Sequence, residues 1–299
     1  MKKIIKGKAY LNLALCILLW AAIPVVTKMS LEELDNFQVL FYSTVFSTII
    51  MGVLVIIQKK QYLLRSFTKD DYSKILPLGF LGNCLYYVFL YGAFEHTSAS
   101  EGFILAYSWP MLVLVLSFVI LKEAVTFKKI MGVLVSFIGI MVITSKGDIA
   151  ALSFTSNVGN LMSLVAAFIF ALFSVLGKKH NYDQTVSVFL YFLSALICLL
   201  PIMMALSSFV IPSLKVLPWL MINGFFINGI SYVFWFKALE DGETHIISNL
   251  LYLTPFVSLI YIAIVLKEEI LMSSVVGLMV IVGGVLLQYA KPEKMRVYL

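Results

Sequence analysis

Residues 79–89 read Gly-Phe-Leu-Gly-Asn-Cys-Leu-Tyr-Tyr-Val-Phe, and residues 224–234 read Gly-Phe-Phe-Ile-Asn-Gly-Ile-Ser-Tyr-Val-Phe. The second stretch lies 145 positions after the first. Five kinds of residue hold register: Gly79 with Gly224, Phe80 with Phe225, Asn83 with Asn228, and Tyr87-Val88-Phe89 with Tyr232-Val233-Phe234. Moving outward at the same offset, Ala93 meets Ala238, Glu95 meets Glu240, Tyr107 meets Tyr252 and Pro110 meets Pro255. Leu121-Lys122-Glu123 returns as Leu266-Lys267-Glu268, and Gly132 and Gly139 return as Gly277 and Gly284. Shared apolar composition cannot place glycines, prolines and asparagines in register, so the chain contains an internal repeat. The earlier part aligns more weakly at an offset of 150, where Ala21 meets Ala171, Val25 meets Val175, and Trp20 faces Phe170.

Composition says where this repeat lives. Of 299 residues 61% are hydrophobic and 13% are charged, against about 25% charged in an ordinary soluble domain. Mean hydropathy is +0.99. So little charged surface excludes a soluble enzyme, a disordered scaffold and a nucleic-acid-binding domain. A membrane-crossing helix needs about 20 apolar residues. Ten candidate spans fit, near 9–28, 37–57, 74–94, 99–121, 128–144, 157–177, 185–206, 218–239, 246–266 and 271–290. They are too long and too little alternating for barrel strands, so an all-α polytopic bundle is expected. The longest connection, 58–73, has room for one short helix. The basic start (Lys2, Lys3, Lys6, Lys8) would suit a signal peptide, but no small-x-small cleavage site follows, and it reads as a retained first helix. Cys16, Cys84 and Cys198 all fall in spans and form neither a disulfide framework nor a metal-ligand spacing.

Basic residues orient the bundle. With the N-terminus inside, 18 of the 22 Lys and Arg fall on inner segments, and only Lys28, Lys146, Lys215 and Lys267 fall outside. The expected topology is therefore N-in and C-in. The net charge of +6 is a topology label rather than a nucleic-acid footprint. Five spans per repeat is an odd number, so the second repeat (155–291) sits upside down relative to the first (1–147), with 292–299 as a short cytoplasmic tail. Inverted repeats are a recurrent design of secondary transporters, because two inverted copies supply two pseudo-equivalent conformations, one open to each side.

Each half closes on one pattern. The first runs Ala99-Ser100-Glu101-Gly102 through Pro110 to Leu121-Lys122-Glu123, then Gly132 and Gly139. The second runs Thr244-His245 through Pro255 to Leu266-Lys267-Glu268, then Gly277 and Gly284. Together with Trp20 and Lys28 in the first span, this resembles the drug/metabolite transporter superfamily, EamA type, over essentially the whole chain. The resemblance implies a ten-helix exporter or exchanger of small metabolites with its cavity between the halves. One departure stands out. The family pattern often has Gly before the Glu of the fourth and ninth spans, where this chain has Lys122 and Lys267.

Counting about 1.5 Å per residue puts Asn83 and Asn228 at the bilayer midplane. Each amide can donate and accept, to a substrate in a cavity or to a neighbouring helix as a clamp. Tyr87 and Tyr232 lie one turn further on the same faces, and Tyr86, Tyr91 and Trp235 extend the aromatic surface. Trp20, Tyr107 and Tyr252 complete the expected lining. Pro110 and Pro255 each remove a helical hydrogen bond and are expected to kink their helices. Glu101 and His245 are the candidates for proton coupling. Glu101 also closes a capping box on Ser98, and His245 shares a face with Asn249 and Tyr252. Lys28 is expected to snorkel to the outer headgroups, with a substrate carboxylate as the lesser alternative. The small residues Gly132, Ser136, Gly139, Gly277 and Gly284 mark the fifth and tenth spans as scaffold or as a homodimer contact.

The expected function is therefore secondary active transport of a small organic metabolite such as an amino acid or a related amphipathic compound. The expected setting is the cytoplasmic (inner) membrane, with the lipid bilayer and a small-molecule substrate as partners and a proton gradient as a candidate energy source. No cofactor, no metal and no nucleic acid are expected, and no Walker-type loop offers ATP a place. The rival readings are a lipid-modifying membrane enzyme built on Glu240, Asp241, Glu243 and His245, and a membrane sensor without flux.

Overall fold

A computed structural model describes residues 2–121, 126–144, 156–178, 182–241, 247 and 250–287. His245 and Asn249 lie outside the described residues, as do Lys122, Glu123 and Glu243. The elements are helices. In chain order they are α1 (Gly7–Leu31), α2 (Asn36–Ile57), α3 (Lys69–His96), α4 (Ala99–Ala106, continued as Trp109–Leu121), α5 (Phe127–Thr144), α6 (Asn157–Lys178), α7 (Gln184–Leu206), α8 (Leu217–Asp241), α9 (Leu251–Leu266) and α10 (Met272–Leu287). A short helix, Gln61–Ser66, fills the connection between α2 and α3. Among the described residues, α1, α2, α3, α6, α7 and α8 are long and apolar enough to cross a membrane; α4, α5, α9 and α10 contribute shorter apolar helices. Outward faces are rich in exposed apolar side chains such as Ile56, Val119, Leu161, Ile197 and Met279. The chain is a multi-pass membrane protein.

The ends of the helices are written locally. Asp35 and Thr68 form capping boxes with Gln38 and Asp71, starting α2 and α3, and Asp183 caps α7. The Thr68 cap starts α3 five residues before the span expected at 74–94. α1 is interrupted at Ala21–Ala22. In α4 the helix does more than kink: it stops at Ala106 and restarts at Trp109, with Pro110 as the second residue of the new piece, where a missing N–H costs nothing. Pro255 likewise sits in the first turn of Thr254–Tyr261, after the tight 3₁₀ turn Leu251–Leu253. α3 and α8 both pass through π-helical turns, Phe80–Leu85 and Ile222–Ile230, so Asn83 and Asn228 occupy the same irregular turn of their repeats.

The core sits between the halves. α1 packs on α8 as α6 packs on α3, α2 on α8 as α7 on α3, while α2 meets α7 and α5 meets α10 across the pseudo-two-fold axis. Lipid offers no hydrophobic force to bring helices together, so close backbone approach must do it. A Cβ on Gly79 would lie 2.6 Å from the backbone of Tyr191, and one on Gly224 would lie 2.4 Å from Cβ of Phe46. These two glycines, one per repeat, let α3 reach α7 and α8 reach α2. In the α5–α10 pair, Gly139 faces the carbonyl of Gly277, Gly284 faces that of Gly132, and Ser136 Oγ donates to the carbonyl of Ile281 at 3.2 Å. The small residues of these two helices meet within one chain.

Candidate functional site

The aromatic residues set between the halves converge on one small cavity. Trp20 and Ile23 come from α1, Tyr86 and Tyr87 from α3, Tyr107 from the α4 break and Trp109 from the restart just after it. Phe170 of α6 and Tyr232 of α8 close it. The space has room for on the order of one water molecule. All of its aromatic walls are buried. The break in α4 is what brings two aromatics, two residues apart, onto the same cavity.

The walls hold one another in edge-to-face or tilted contacts. Trp20 meets Phe170 at 6.0 Å between ring centroids and Tyr232 at 5.7 Å. Phe170 meets Tyr86 at 4.7 Å and Trp109 at 4.9 Å. The Trp20 indole N–H donates to Ser231 Oγ at 2.7 Å, which fixes the ring against α8. Tyr87 and Tyr232 place their hydroxyls 3.2 Å apart. Tyr107 also contributes to the lining, with its side chain buried.

Beside the cavity lies a polar cluster that exists in one repeat only. Tyr91 Oη accepts from Asn223 Nδ2 at 2.9 Å and from Asn228 Nδ2 at 3.2 Å, and Asn223 also donates to Ser43 Oγ at 3.0 Å. This ties α8 to α2 and α3. At the equivalent positions of the other repeat stand Leu78 for Asn223 and Phe236 for Tyr91. Asn83 is fully buried, and neither end of its amide finds a partner among the described residues.

The structure thus brings Trp20, Tyr86, Tyr87, Tyr107 and Tyr232 onto one cavity. Trp235 stands behind that wall, 5.6 Å from Trp20 and 6.1 Å from Trp109. Asn83 and Asn228 are buried in the flanking helices rather than among the lining residues. Tyr252, the mate of Tyr107, packs instead in a separate apolar cluster with Leu105, Leu259, Leu278 and Ile281. Sequence reading missed Trp109, Phe170 and Asn223 as members of this region. The alignment of Phe170 with Trp20 was the available signal for one of them.

Polar links tie the halves above and below. At the Asp35 end, Gln38 Nε2 donates to Ser208 O at 2.8 Å, Tyr42 Oη donates to Val210 O at 2.6 Å, and Asp35 accepts from Ser207 Oγ. Nearby, Lys215 reaches Glu32 at 2.7 Å, and that carboxylate holds the ammonium pKa above its ordinary value. At the same end, buried Glu101 accepts from Asn160 Nδ2 at 2.8 Å, linking α4 to α6, while Ser98 caps its backbone N–H. Lys28 donates to the Thr97 carbonyl at 2.8 Å instead of extending outward. At the opposite end, Lys60 pairs with Asp183 at 2.7 Å and Thr185 donates to Gln58 at 3.0 Å. There Tyr182 Oη donates to Asp71 at 2.8 Å; partial burial and then this acceptor push the Tyr182 phenol up.

Comparison with known proteins supplies the context. The sequence model of the EamA-like transporter family matches residues 7–145 and again 157–290. The chain is 28% identical over 296 residues to an uncharacterized transporter of Archaeoglobus fulgidus, covering 96% of this chain and 99% of that one. It is 23% identical to the uncharacterized transporter YetK of Bacillus subtilis, covering 97% and 89%. A crystal structure of a protein superposes with a TM-score of 0.75 over 94% of this chain and 96% of its own, at 18% identity, and so shares the fold.

Proposed function

The chain belongs to the EamA-like transporter family, and from that premise we propose that it is a secondary transporter of a small organic metabolite, working by alternating access in the cytoplasmic membrane. The direction proposed is export or exchange, and the substrate class is an amino acid or a related amphipathic compound. The observation that carries this reading is the aromatic cavity at the interface of the two inverted halves, with Tyr87 and Tyr232 meeting across it at 3.2 Å. A site shared by both repeats is exposed to one side or the other as one half rocks on its partner. None of the eight described lining residues carries a charge, which suits a ligand that brings apolar surface of its own. Glu101 is the proposed proton-coupling residue, through its contact with Asn160.

The test is flux. Protein reconstituted into liposomes should carry radiolabelled metabolites drawn from an amphipathic panel, with and without an imposed pH gradient. Tyr87→Ala with Tyr232→Ala should abolish that flux while the protein remains folded. No flux of any compound under any gradient would overturn the reading.

A further inference from the structure

We infer that the connection between α7 and α8, residues 207–216, is a membrane-surface anchor: it folds back into the lipid of its own leaflet and holds there through Phe209, Ile211 and Leu214. The partner is the phospholipid bilayer, met by a loop rather than by a spanning helix.

The first observation is the path of the chain. α7 ends at Leu206, level with the start of α2, where Ser207 Oγ donates to Asp35. The chain does not leave into solvent from there. The Ser208 carbonyl accepts from Gln38, the Phe209 ring meets Phe41 at 5.5 Å and 90°, and the Val210 carbonyl accepts from Tyr42. Gln38 and Tyr42 are one turn apart on α2, and Tyr42 is the deeper, about 9 Å along the helix from Asn36. From Ser208 to Val210 the loop therefore runs back alongside a membrane-crossing helix.

The second observation is what the loop displays. Ile211 is 92% exposed and Leu214 86%, and Phe209 and Val210 are exposed as well. A run of apolar side chains with no packing partner in the chain is costly in water. The patch continues the outward stripe of α7 formed by Ile197, Leu200, Met204 and Leu206, so the lipid that covers the helix reaches the loop. The third is how the polar groups are handled. Backbone near lipid needs its carbonyls satisfied, and two side chains of α2 do this for residues 208 and 210. Pro212 has no N–H to satisfy. Lys215, the one charged residue of the connection, pairs with Glu32 at 2.7 Å, both partly exposed, which sets the polar edge above the patch. A tyrosine at this depth, with its hydroxyl toward that edge, suits the membrane interface.

Depth is measurable in the full chain reconstituted into phosphatidylcholine vesicles. Ile211→Cys and Leu214→Cys, in a background without the native cysteines, are labelled with the fluorophore NBD. Emission should be blue-shifted relative to the same label on Lys69→Cys, an exposed site at the start of α3. Lipids carrying a nitroxide on the acyl chain should quench it severalfold more than aqueous iodide does. Quenching by iodide as strong as at Lys69→Cys overturns the anchor. A label shielded from both quenchers, with disulfide-linked dimers of Ile211→Cys, would place a second copy on the loop and also overturn it. The unsubstituted chain carries the same test without a cysteine background. An aryl diazirine dissolved in the bilayer should, on illumination, modify the 207–216 segment as it modifies the outward stripe of α7. Modification of α7 alone overturns the anchor. Neither result depends on what the protein transports.

Discussion

The hydroxyl oxygens of Tyr87 and Tyr232 lie 3.2 Å apart, although the residues are 145 positions apart in the chain. That separation is the period of the repeat itself. Two copies of one side chain therefore meet at the pseudo-two-fold axis. Either can donate, and both are buried. Truncating one to Phe leaves the other phenol buried with its partner gone, at a cost of about 1–3 kcal/mol; truncating both removes donor and acceptor together. The midpoint of thermal unfolding in detergent should thus fall in Tyr87→Phe and in Tyr232→Phe. It should fall no further in the double variant. Additive losses would mean that the two hydroxyls act independently.

Gly79 and Gly224 make a second prediction. Alanine at either places its Cβ 2.4–2.6 Å from atoms of the opposite half. Overpacking of this kind costs about 1–3 kcal/mol. Gly79→Ala and Gly224→Ala should each lower the unfolding midpoint and the yield of monodisperse protein. Gly177, where a Cβ would meet nothing within 4 Å, is the control, and Gly177→Ala should be neutral or mildly stabilising. A loss at Gly177 equal to that at Gly79 would refute the close-approach account.

The repeat made much of this architecture legible. Register at Gly79/Gly224, Asn83/Asn228 and Tyr87/Tyr232 marks α3 and α8 as equivalent elements of the two repeats, with Asn83 and Asn228 expected at the same depth. What failed to show was whatever breaks the symmetry. Asn223 drew no attention because its mate is Leu78, yet it bonds both Ser43 and Tyr91. Tyr107 and Tyr252 share a register but part company, since the α4 break turns one to the cavity while the 3₁₀ turn of α9 sends the other into an apolar cluster. Phe170 and Trp109 are ordinary aromatic residues in apolar helices, and hydropathy does not distinguish a wall residue from one facing lipid.

The family's habitual glycine before the glutamate of the ninth span has a physical reason in this chain. Lys267 stands there with φ of 57°, closing α9 in the left-handed region, where a side chain is strained. Lys59 does the same after α2, with φ of 54°; its N–H reaches Ile56 O and the Lys60 N–H reaches Val55 O, the two bonds of a Schellman close. Lys267→Gly and Lys59→Gly should each stabilise by a few tenths to about 1 kcal/mol. A rise in the unfolding midpoint checks this, and a fall at either site would show that the lysine side chain contributes more than its backbone strain costs.

The links between α2 and α7 give the last prediction. The two helices run antiparallel, and each end of the pair is fastened: Gln38, Tyr42 and Asp35 to the chain after α7, and Gln58 and Lys60 to its start. If one half rocks on the other, one set must part while its counterpart holds. Lys60 and Asp183 are both partly exposed, so their pair contributes no more than about 1 kcal/mol. That is still about fivefold in a two-state equilibrium. Asp183→Asn should therefore increase opening at the Lys60 end. Gln38→Ala should increase it at the opposite end. Single cysteines placed beside the cavity, in a background without the native cysteines, and labelled by a charged maleimide from one side of the membrane at a time, report the shift. Opposite changes in labelling for the two variants are expected. Equal labelling of both, from either side, would show that these contacts do not hold the halves together.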